Sequence, residues 1–310
     1  MSGLIALDWG TSSLRAFRFD DTGRLAETRA RPWGIRHLPE GGCDAALAGI
    51  AAGWPALPRL ACGMVGSRNG WREMAYLDLP ADAAQLGKAL GSVRAADGMD
   101  VHLVPGLRDP HGPDVMRGEE TQLFGALARR PELAAASTFI LPGTHSKWAV
   151  VRDGAVRGFR TLMTGELFAV LRQHSILGAT GAEAADDAAA FARGVAAARD
   201  SGGAGAFSRL FSTRALMLDG ALAPASAPDY LSGLLIGEEF RAALADGLAR
   251  RDTRLQLIGE AALCERYRRA AALFDIELPA PIEDAAAHGL WRLATQAGLV
   301  SIHTRESRAC

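Results

Sequence analysis

Two widely separated segments of this chain repeat one plan, and that repeat constrains the fold more than any other feature. In "LIALDWGTSSLRAFRFD" an apolar run ends in an acid, a glycine and three hydroxyls, then a second run follows in which Leu14, Ala16, Phe17 and Phe19 alternate imperfectly. In "FILPGTHSKWAVVRDGAVRGF" an apolar run again ends in a glycine with hydroxyls, and the following run carries its own Asp153-Gly154 turn. Each reads as a β-hairpin, the first with Thr11, Ser12 and Ser13 at its tip. Such an echo predicts two related halves, each offering one polar loop to a shared cleft.

The rest of the chain fits that plan. "LACGMVGSRNGW" is a buried strand entering a Gly-punctuated loop, and "VHLVPGLRD" is a strand ended by a Pro-Gly break, so both loops should leave the same sheet edge. From Gly118, "GEETQLFGALARR" places Leu123, Ala126 and Leu127 on one helical face with acids in the first turn, where the helix dipole favours them. Helices are expected over "GELFAVLRQHSIL", over an Ala-rich stretch from Ala182 to Arg199, and over "YLSGLLIGEEFRAALADGLAR". Then "RLQLIGEAALCERYRRAAALF" is a strand, a Gly-Glu turn and a helix, and "EDAAAHGLWRLATQAGL" closes the chain as a helix. Alternating strands and helices argue for an α/β fold.

With 310 residues, 49% of them hydrophobic, the chain is long enough for two domains. Their expected limits are 1–135 and 136–310, with a closing helix near 285–300 that packs on the first. Lys and Arg number 34 against 35 Asp and Glu, so no overall field attracts nucleic acid or an anionic membrane, and neither is expected as a partner. Cys43, Cys62, Cys264 and Cys310 lack metal-site spacing and read as free thiols of a reducing compartment. No secretory leader pattern and no 18-residue uncharged apolar stretch is seen, so a cytoplasmic protein is expected. The aliphatic helices leave a homo-oligomer open.

A tight hairpin tip with Thr and Ser hydroxyls makes an anion-binding concavity suited to phosphate. Asp8 at the strand end is then placed to hold Mg²⁺, which prefers carboxylate, water and phosphate oxygens. A turn with no ligand would use the same residue types, but "PGTHSK" repeats the chemistry with Gly143, Thr144 and Ser146, and adds Lys147 as a charge partner.

The order of "LDWGTSSLRAF", "GEETQLFG", "LPGTHSKW", "LIGEAAL" and "AHGLW" resembles phosphate-1, connect-1, phosphate-2, adenosine and connect-2 of the actin, hexokinase and Hsp70 superfamily. More narrowly, "LDWGTSSLRAF", "GMVGSRNGW", "RGEETQ", "PGTHSKW" and "MTGELF" resemble the 2-dehydro-3-deoxygalactonokinase family. The resemblance implies two RNase H-like, actin-like ATPase domains around an ATP cleft, with ATP and Mg²⁺ as cofactors and a small sugar acid as partner. It implies transfer of the γ-phosphoryl group to the 6-hydroxyl of 2-dehydro-3-deoxy-D-galactonate. A phosphohydrolase or ATPase of the same superfamily, or a kinase for the gluconate epimer, are the alternatives.

Residue by residue, the resemblance makes Asp8 the Mg²⁺-side carboxylate and Gly10, Thr11 and Ser12 part of the phosphate-1 loop. Gly143, Thr144, His145 and Ser146 would grip phosphates from the other half, and Gly259 would let the backbone approach the adenosine. "SGLLIGEE" would lend a helix face to the base, although Gly233 and Gly237 fit helix packing better. The acceptor hydroxyl needs a carboxylate to take its proton; Glu119, directly after Gly118, is the expected base and Glu120 the alternative, since adjacent helical residues diverge by about 100°. The loop holding Ser67, Arg68, Asn69 and Trp71, together with Arg117, is expected to receive the sugar acid. Thr164 and Glu166 are expected near the acceptor hydroxyls, and His174 is expected to be structural.

Overall fold

The computed structural model describes residues 3–178, 186–249 and 253–301. The chain divides into two compact units: Met1–Ala135 with Val151–Gly158 and Glu283–Cys310, and Ala136–Val150 with Phe159–Ile282. Each is treated below by itself.

The first unit opens with β1 (Leu4–Trp9), β2 (Leu14–Phe19) and β3 (Leu25–Arg31), followed by α1 (Gly42–Ile50) and β4 (Arg59–Gly63). Next come β5 (Leu77–Asp78), α2 (Ala83–Lys88), β6 (Gly91–Arg94), β7 (Asp100–Leu103), β8 (Leu107–Asp109), β9 (Asp114–Met116) and α3 (Glu119–Arg129). Its main sheet has the order β3-β2-β1-β4-β7-β6. The expected first hairpin is present, with β1 and β2 antiparallel and Asp8 opposite Arg15. On its other side β1 pairs parallel with β4, and β4 parallel with β7, so Asp8, Gly63 and the Gly-rich loop lie at one sheet edge. Strands flanked on both sides and both faces read as continuous apolar runs: every residue of β4 is buried, whereas the edge strand β3 alternates and carries charges.

Ile5, Leu7, Trp9, Leu14, Val101 and Leu103 form this unit's core with Ala46, Leu47 and Ile50 of α1. The β2–β3 turn is closed by Asp20, whose carboxylate accepts from the Thr22 and Arg24 N–H groups at 2.9 and 3.0 Å, with Gly23 at φ 81°. A small sheet of order β5-β8-β9 was not expected, because strands of two or three residues carry no periodic signal.

The second unit contributes β10 (Ala136–Leu141), β11 (Ser146–Arg152), β12 (Ala155–Leu162), α4 (Thr164–His174), α5 (Ala188–Arg199), α6 (Ser212–Leu218), α7 (Ala227–Ala245), β13 (Leu255–Leu257) and α8 (Ala261–Ala272). Its sheet order is β12-β11-β10-β13, with β10 and β13 parallel. The order repeats β3-β2-β1-β4, which gives the sequence echo a topological basis. Asp153 and Gly154 both have positive φ, 52° and 73°, as a two-residue hairpin turn requires. That turn is counted with the first unit, where Val156 and Ala81 exchange backbone hydrogen bonds of 2.9 and 3.1 Å. Ile140, Trp148, Ile236, Phe240, Leu257 and Tyr267 belong to the second core.

Within the expected Ala-rich stretch, α5 starts at Ala188, capped by Asp187, which accepts from Ala190 N–H at 2.9 Å. Residues 182–185 lie outside the described residues.

α9 (Ala285–Gln296) is the closing helix, counted with the first unit. It meets α3 through reciprocal glycines: a Cβ on Gly125 would fall 1.7 Å from the Ala285 carbonyl oxygen, and one on Gly289 would fall 1.9 Å from that of Thr121. The second unit repeats the device between α5 and α7. There a Cβ on Gly194 would fall 2.0 Å from the Tyr230 carbonyl oxygen and one on Gly233 2.1 Å from that of Phe191. Gly233 and Gly237 are therefore helix-packing positions. Cys43, Cys62 and Cys264 are free thiols, and Cys310 lies outside the described residues. Among the described residues no helix is long and apolar enough to cross a membrane.

Candidate active site

In the first unit, the turn after β1 is built on backbone contacts. Gly10 N–H donates to the Ser13 carbonyl at 2.9 Å, while the Gly10 and Thr11 carbonyls accept from Ile35 and Arg36 N–H at 3.0 and 3.1 Å. Gly34 must lack a Cβ, which would fall 2.3 Å from Ser12 N. This buttress leaves Thr11 half-buried and Ser12 and Ser13 exposed. Asp8 is half-buried and its Oδ2 accepts from the Arg15 guanidinium, a partner the sequence reading did not include. Its Oδ1 lies 3.9 Å from Cys62 Sγ. Burial, with Asp8 and Glu120 nearby, pushes the Cys62 thiol well up, so it stays protonated.

Gly118, at φ 106° and with its Cβ position 3.2 Å from Gly63 Cα, starts α3 against the end of β4. The two acids that follow then diverge. Glu119 is half-buried and its Oε2 accepts from Arg117 N–H at 3.0 Å. Glu120 has no exposed surface; its carboxyl accepts from Gly118 N–H at 2.6 Å and from the Thr121 hydroxyl at 2.9 Å. Burial first, and then the Glu119 charge, push the Glu120 carboxyl up to about 8.

The Gly-rich loop is compact. Trp71 N–H donates to the Val65 carbonyl at 2.8 Å, Gly70 N–H to Ser67 at 2.9 Å, and the Ser67 hydroxyl to Met64 at 2.7 Å. Trp71 is half-buried and packs edge-on against Trp9 with centroids 6.0 Å apart, at the margin of the core. Arg68 and Asn69 are exposed. Arg117 stacks on Tyr76 at 4.4 Å and donates to the Met74 carbonyl at 2.8 Å. Its Nε and Nη1 are buried without hydrogen-bond partners among the described residues.

In the second unit, the loop after β10 lies against the start of α4. Glu166 N–H donates to the Thr144 carbonyl at 3.0 Å, and a Cβ on Gly165 would fall 2.5 Å from the Gly143 carbonyl oxygen. His145 Nε2 and Glu166 Oε2 are 2.5 Å apart, both exposed. Thr164 and Glu166 thus belong with Gly143, Thr144 and His145. Ser146 is buried and donates to Glu239 at 2.9 Å, so the structure corrects its expected contact with phosphate: the hydroxyl proton is spent inside the unit. Lys147 is buried in β11.

A cavity of about 490 Å³ opens beside this loop, within the roughly 300–1,000 Å³ typical of small-molecule and cofactor sites. Gly143, Thr144, Thr164 and Gly165 line one side, with Phe168 and Arg172 further along α4. Pro228, Asp229, Ser232, Leu235 and Ile236 come from α7, and Leu263, Arg266 and Tyr267 from α8. Asp229 accepts from Arg266 and from Asp187 N–H, both at 2.6 Å, and Arg266 stacks on Phe191 at 4.5 Å. The loop residues and, through the "SGLLIGEE" helix face, Ser232, Leu235 and Ile236 were expected; Phe168, Arg172, Pro228, Asp229, Leu263, Arg266 and Tyr267 were not. For Pro228 the i, i+4, i+7 spacing with Ser232 and Leu235 was the available signal, but it shares α7 with the glycine face. Gly259 is not among the lining residues; its missing Cβ serves a close approach to Cys264 Sγ, 3.2 Å away.

The model of the 2-keto-3-deoxy-galactonokinase family matches residues 8–293. The chain belongs to this family. A protein of Rhizobium meliloti (strain 1021) assigned as a 2-dehydro-3-deoxygalactonokinase is 39% identical over 312 residues, covering 93% of this chain and 97% of that protein. The 2-dehydro-3-deoxygalactonokinase of Escherichia coli (strain K12) is 36% identical over 286 residues, covering 91% and 94%. The crystal structure of a Sinorhizobium meliloti protein assigned the same activity superposes with a TM-score of 0.85 at 37% identity, covering 94% of this chain and 98% of that one.

Proposed function

We propose that the chain transfers the γ-phosphoryl group of ATP to the 6-hydroxyl of 2-dehydro-3-deoxy-D-galactonate, giving 2-dehydro-3-deoxy-6-phosphogalactonate in galactonate catabolism. The observation that carries this reading is the family match over residues 8–293, supported by two relatives bearing that activity's name. The reading takes each hairpin loop as the phosphate-binding loop of an RNase H-like domain in a cytoplasmic enzyme.

The residues present suit ATP and Mg²⁺. The second-unit cavity joins apolar walls from Phe168, Leu235, Ile236 and Leu263 to the Gly143-Thr144 loop, which suits a base and a phosphate chain in turn. Among the described residues no three His, Cys, Asp or Glu side chains converge as a metal site. A divalent cation therefore fits beside Asp8 only as a companion of phosphate oxygens and water, as Mg²⁺ prefers. When bound, it would neutralise charge developing on the transferring group.

Glu119 takes the role of base. It is half-buried at the helix start, whereas Glu120, with its carboxyl near 8, holds its proton at neutral pH and braces Gly118. Arg68 and Asn69, exposed on this loop, are placed to meet the sugar-acid carboxylate, and the Arg117 guanidinium, which donates one N–H to Met74 and stacks on Tyr76, keeps Nε and Nη1 unpartnered among the described residues.

The test is ADP release by the purified protein with ATP and Mg²⁺, comparing no sugar, the galacto acid and its gluconate epimer. Turnover that requires the galacto acid supports the reading. Equal turnover without sugar would overturn it in favour of a hydrolase, and preference for the epimer would reassign the substrate.

A further inference from the structure

Glu239 lies in the middle of α7 with no exposed surface, in a stretch where an acid would ordinarily face solvent. Four neutral donors converge on its carboxylate from three other elements. Ser146 Oγ and Trp148 Nε1, both on β11, donate to Oε2 at 2.9 and 3.0 Å, and the Tyr267 hydroxyl of α8 donates to Oε1 at 2.5 Å. The Thr164 hydroxyl, at the first residue of α4, supplies the fourth.

A buried carboxylate carries a large desolvation penalty unless donors repay it. An apolar side chain there would leave four buried donors without their acceptor. What the carboxylate adds is an acceptor for several donors at one point, and two of those donors sit at informative places. Ser146 directly follows Gly143-Thr144-His145, and Thr164 directly precedes Gly165-Glu166. These are the two backbone segments joined by the Glu166–Thr144 hydrogen bond of 3.0 Å, and they line the cavity that Glu239 itself does not reach.

We propose that Glu239 is a positioning residue that holds the Gly143–His145 loop in phosphate-binding shape through Ser146 and Thr164. This rests on reading the second-unit cavity as the nucleotide site. Burial raises the carboxyl, and the four donors oppose that rise. A glutamine of the same shape would replace one acceptor oxygen with an NH₂ group facing donor hydroxyls, which disturbs the hub without emptying it.

The experiment measures binding of ADP and of a non-hydrolysable ATP analogue, without sugar, to the full chain and to its Glu239→Gln, Ser146→Ala and doubly substituted variants. Melting temperature, kcat and both KM values are read alongside. Expected is at least a tenfold rise in nucleotide Kd and ATP KM for Glu239→Gln, a sugar-acid KM within twofold of wild type, and strong non-additivity in the double variant. Unchanged nucleotide Kd and ATP KM, with kcat falling only in proportion to the folded fraction, would overturn the proposal. Should Glu239→Gln not fold, Ser146→Ala alone decides, since it severs the tie to the loop: unchanged nucleotide Kd overturns the proposal and a clear rise supports it. Additive effects in the double variant would also overturn it, because Ser146 would then act independently of Glu239. Failure of the wild-type protein to bind nucleotide would instead bring down the cavity reading, and this proposal with it.

Discussion

Glu119 and Glu120, neighbours at the start of α3, each accept a main-chain N–H from the residue two positions earlier, yet only Glu120 is fully buried. The roughly 100° step between adjacent helical residues separates them. One acid is left where a substrate could reach it, and the other is sealed beneath the helix start. The first prediction follows from this division. Glu119→Gln should lower kcat by about 10²- to 10⁴-fold, the usual worth of a general base, with a melting temperature near wild type. Glu120→Gln should retain most of kcat. Steady-state kinetics with thermal denaturation check both, and the opposite ranking would move the base to Glu120.

The same pair gives a pH signature. The ordinary carboxyl value of 4.5 for Glu120 becomes about 8 in the folded chain. Between these values the folded state keeps a proton that the unfolded chain has lost, so this group lowers stability progressively as pH rises through that window. Glu120→Gln removes the effect. Its stability relative to wild type should therefore rise between pH 5 and 8.5, by on the order of a few kcal/mol. Denaturant unfolding of both proteins across that range checks it, and a flat difference would contradict it.

Arg15 competes with any cation for Asp8. Its guanidinium is half-exposed and the pair is correspondingly weak, on the order of 1 kcal/mol. Arg15→Gln should lower the Mg²⁺ concentration giving half-maximal rate by about fivefold, whereas Asp8→Asn should abolish most activity at every Mg²⁺ concentration. Magnesium titrations of kcat decide this, and an unmoved midpoint in Arg15→Gln would show that the ion pair does not gate the cation.

At the helix crossings, Gly194→Ala and Gly289→Ala each force a methyl group onto a carbonyl oxygen at 2.0 and 1.9 Å. Each should cost about 1–3 kcal/mol, as overpacking typically does. Gly203→Ala, where nothing lies within 4 Å, should be close to neutral. Melting temperatures of the three variants test the contrast.

Local chemistry made much of this legible. Asp153-Gly154 announced a two-residue hairpin, the apolar run Leu4–Leu7 announced the first strand of another, and Gly233 and Gly237 signalled close helix packing. Long-range placement was not legible. Nothing in "IGEEF" distinguishes a fully buried Glu239 from the partly exposed Glu238 beside it, because the difference lies in donors from β11, α4 and α8. The packing of Trp71 on Trp9 was not visible because the two lie far apart in sequence. Ser146 looked like a phosphate donor for the same reason: its acceptor is 93 residues away.

The paired glycines have a further consequence. At the paired glycines the helices meet backbone to backbone, with no side chain at that point to change rotamer and absorb a displacement. Those crossing points have no adjustable parts, so α3 with α9, and α5 with α7, should each travel as one stiff block. Any flexing that catalysis demands must then be taken up in the loops that these blocks carry.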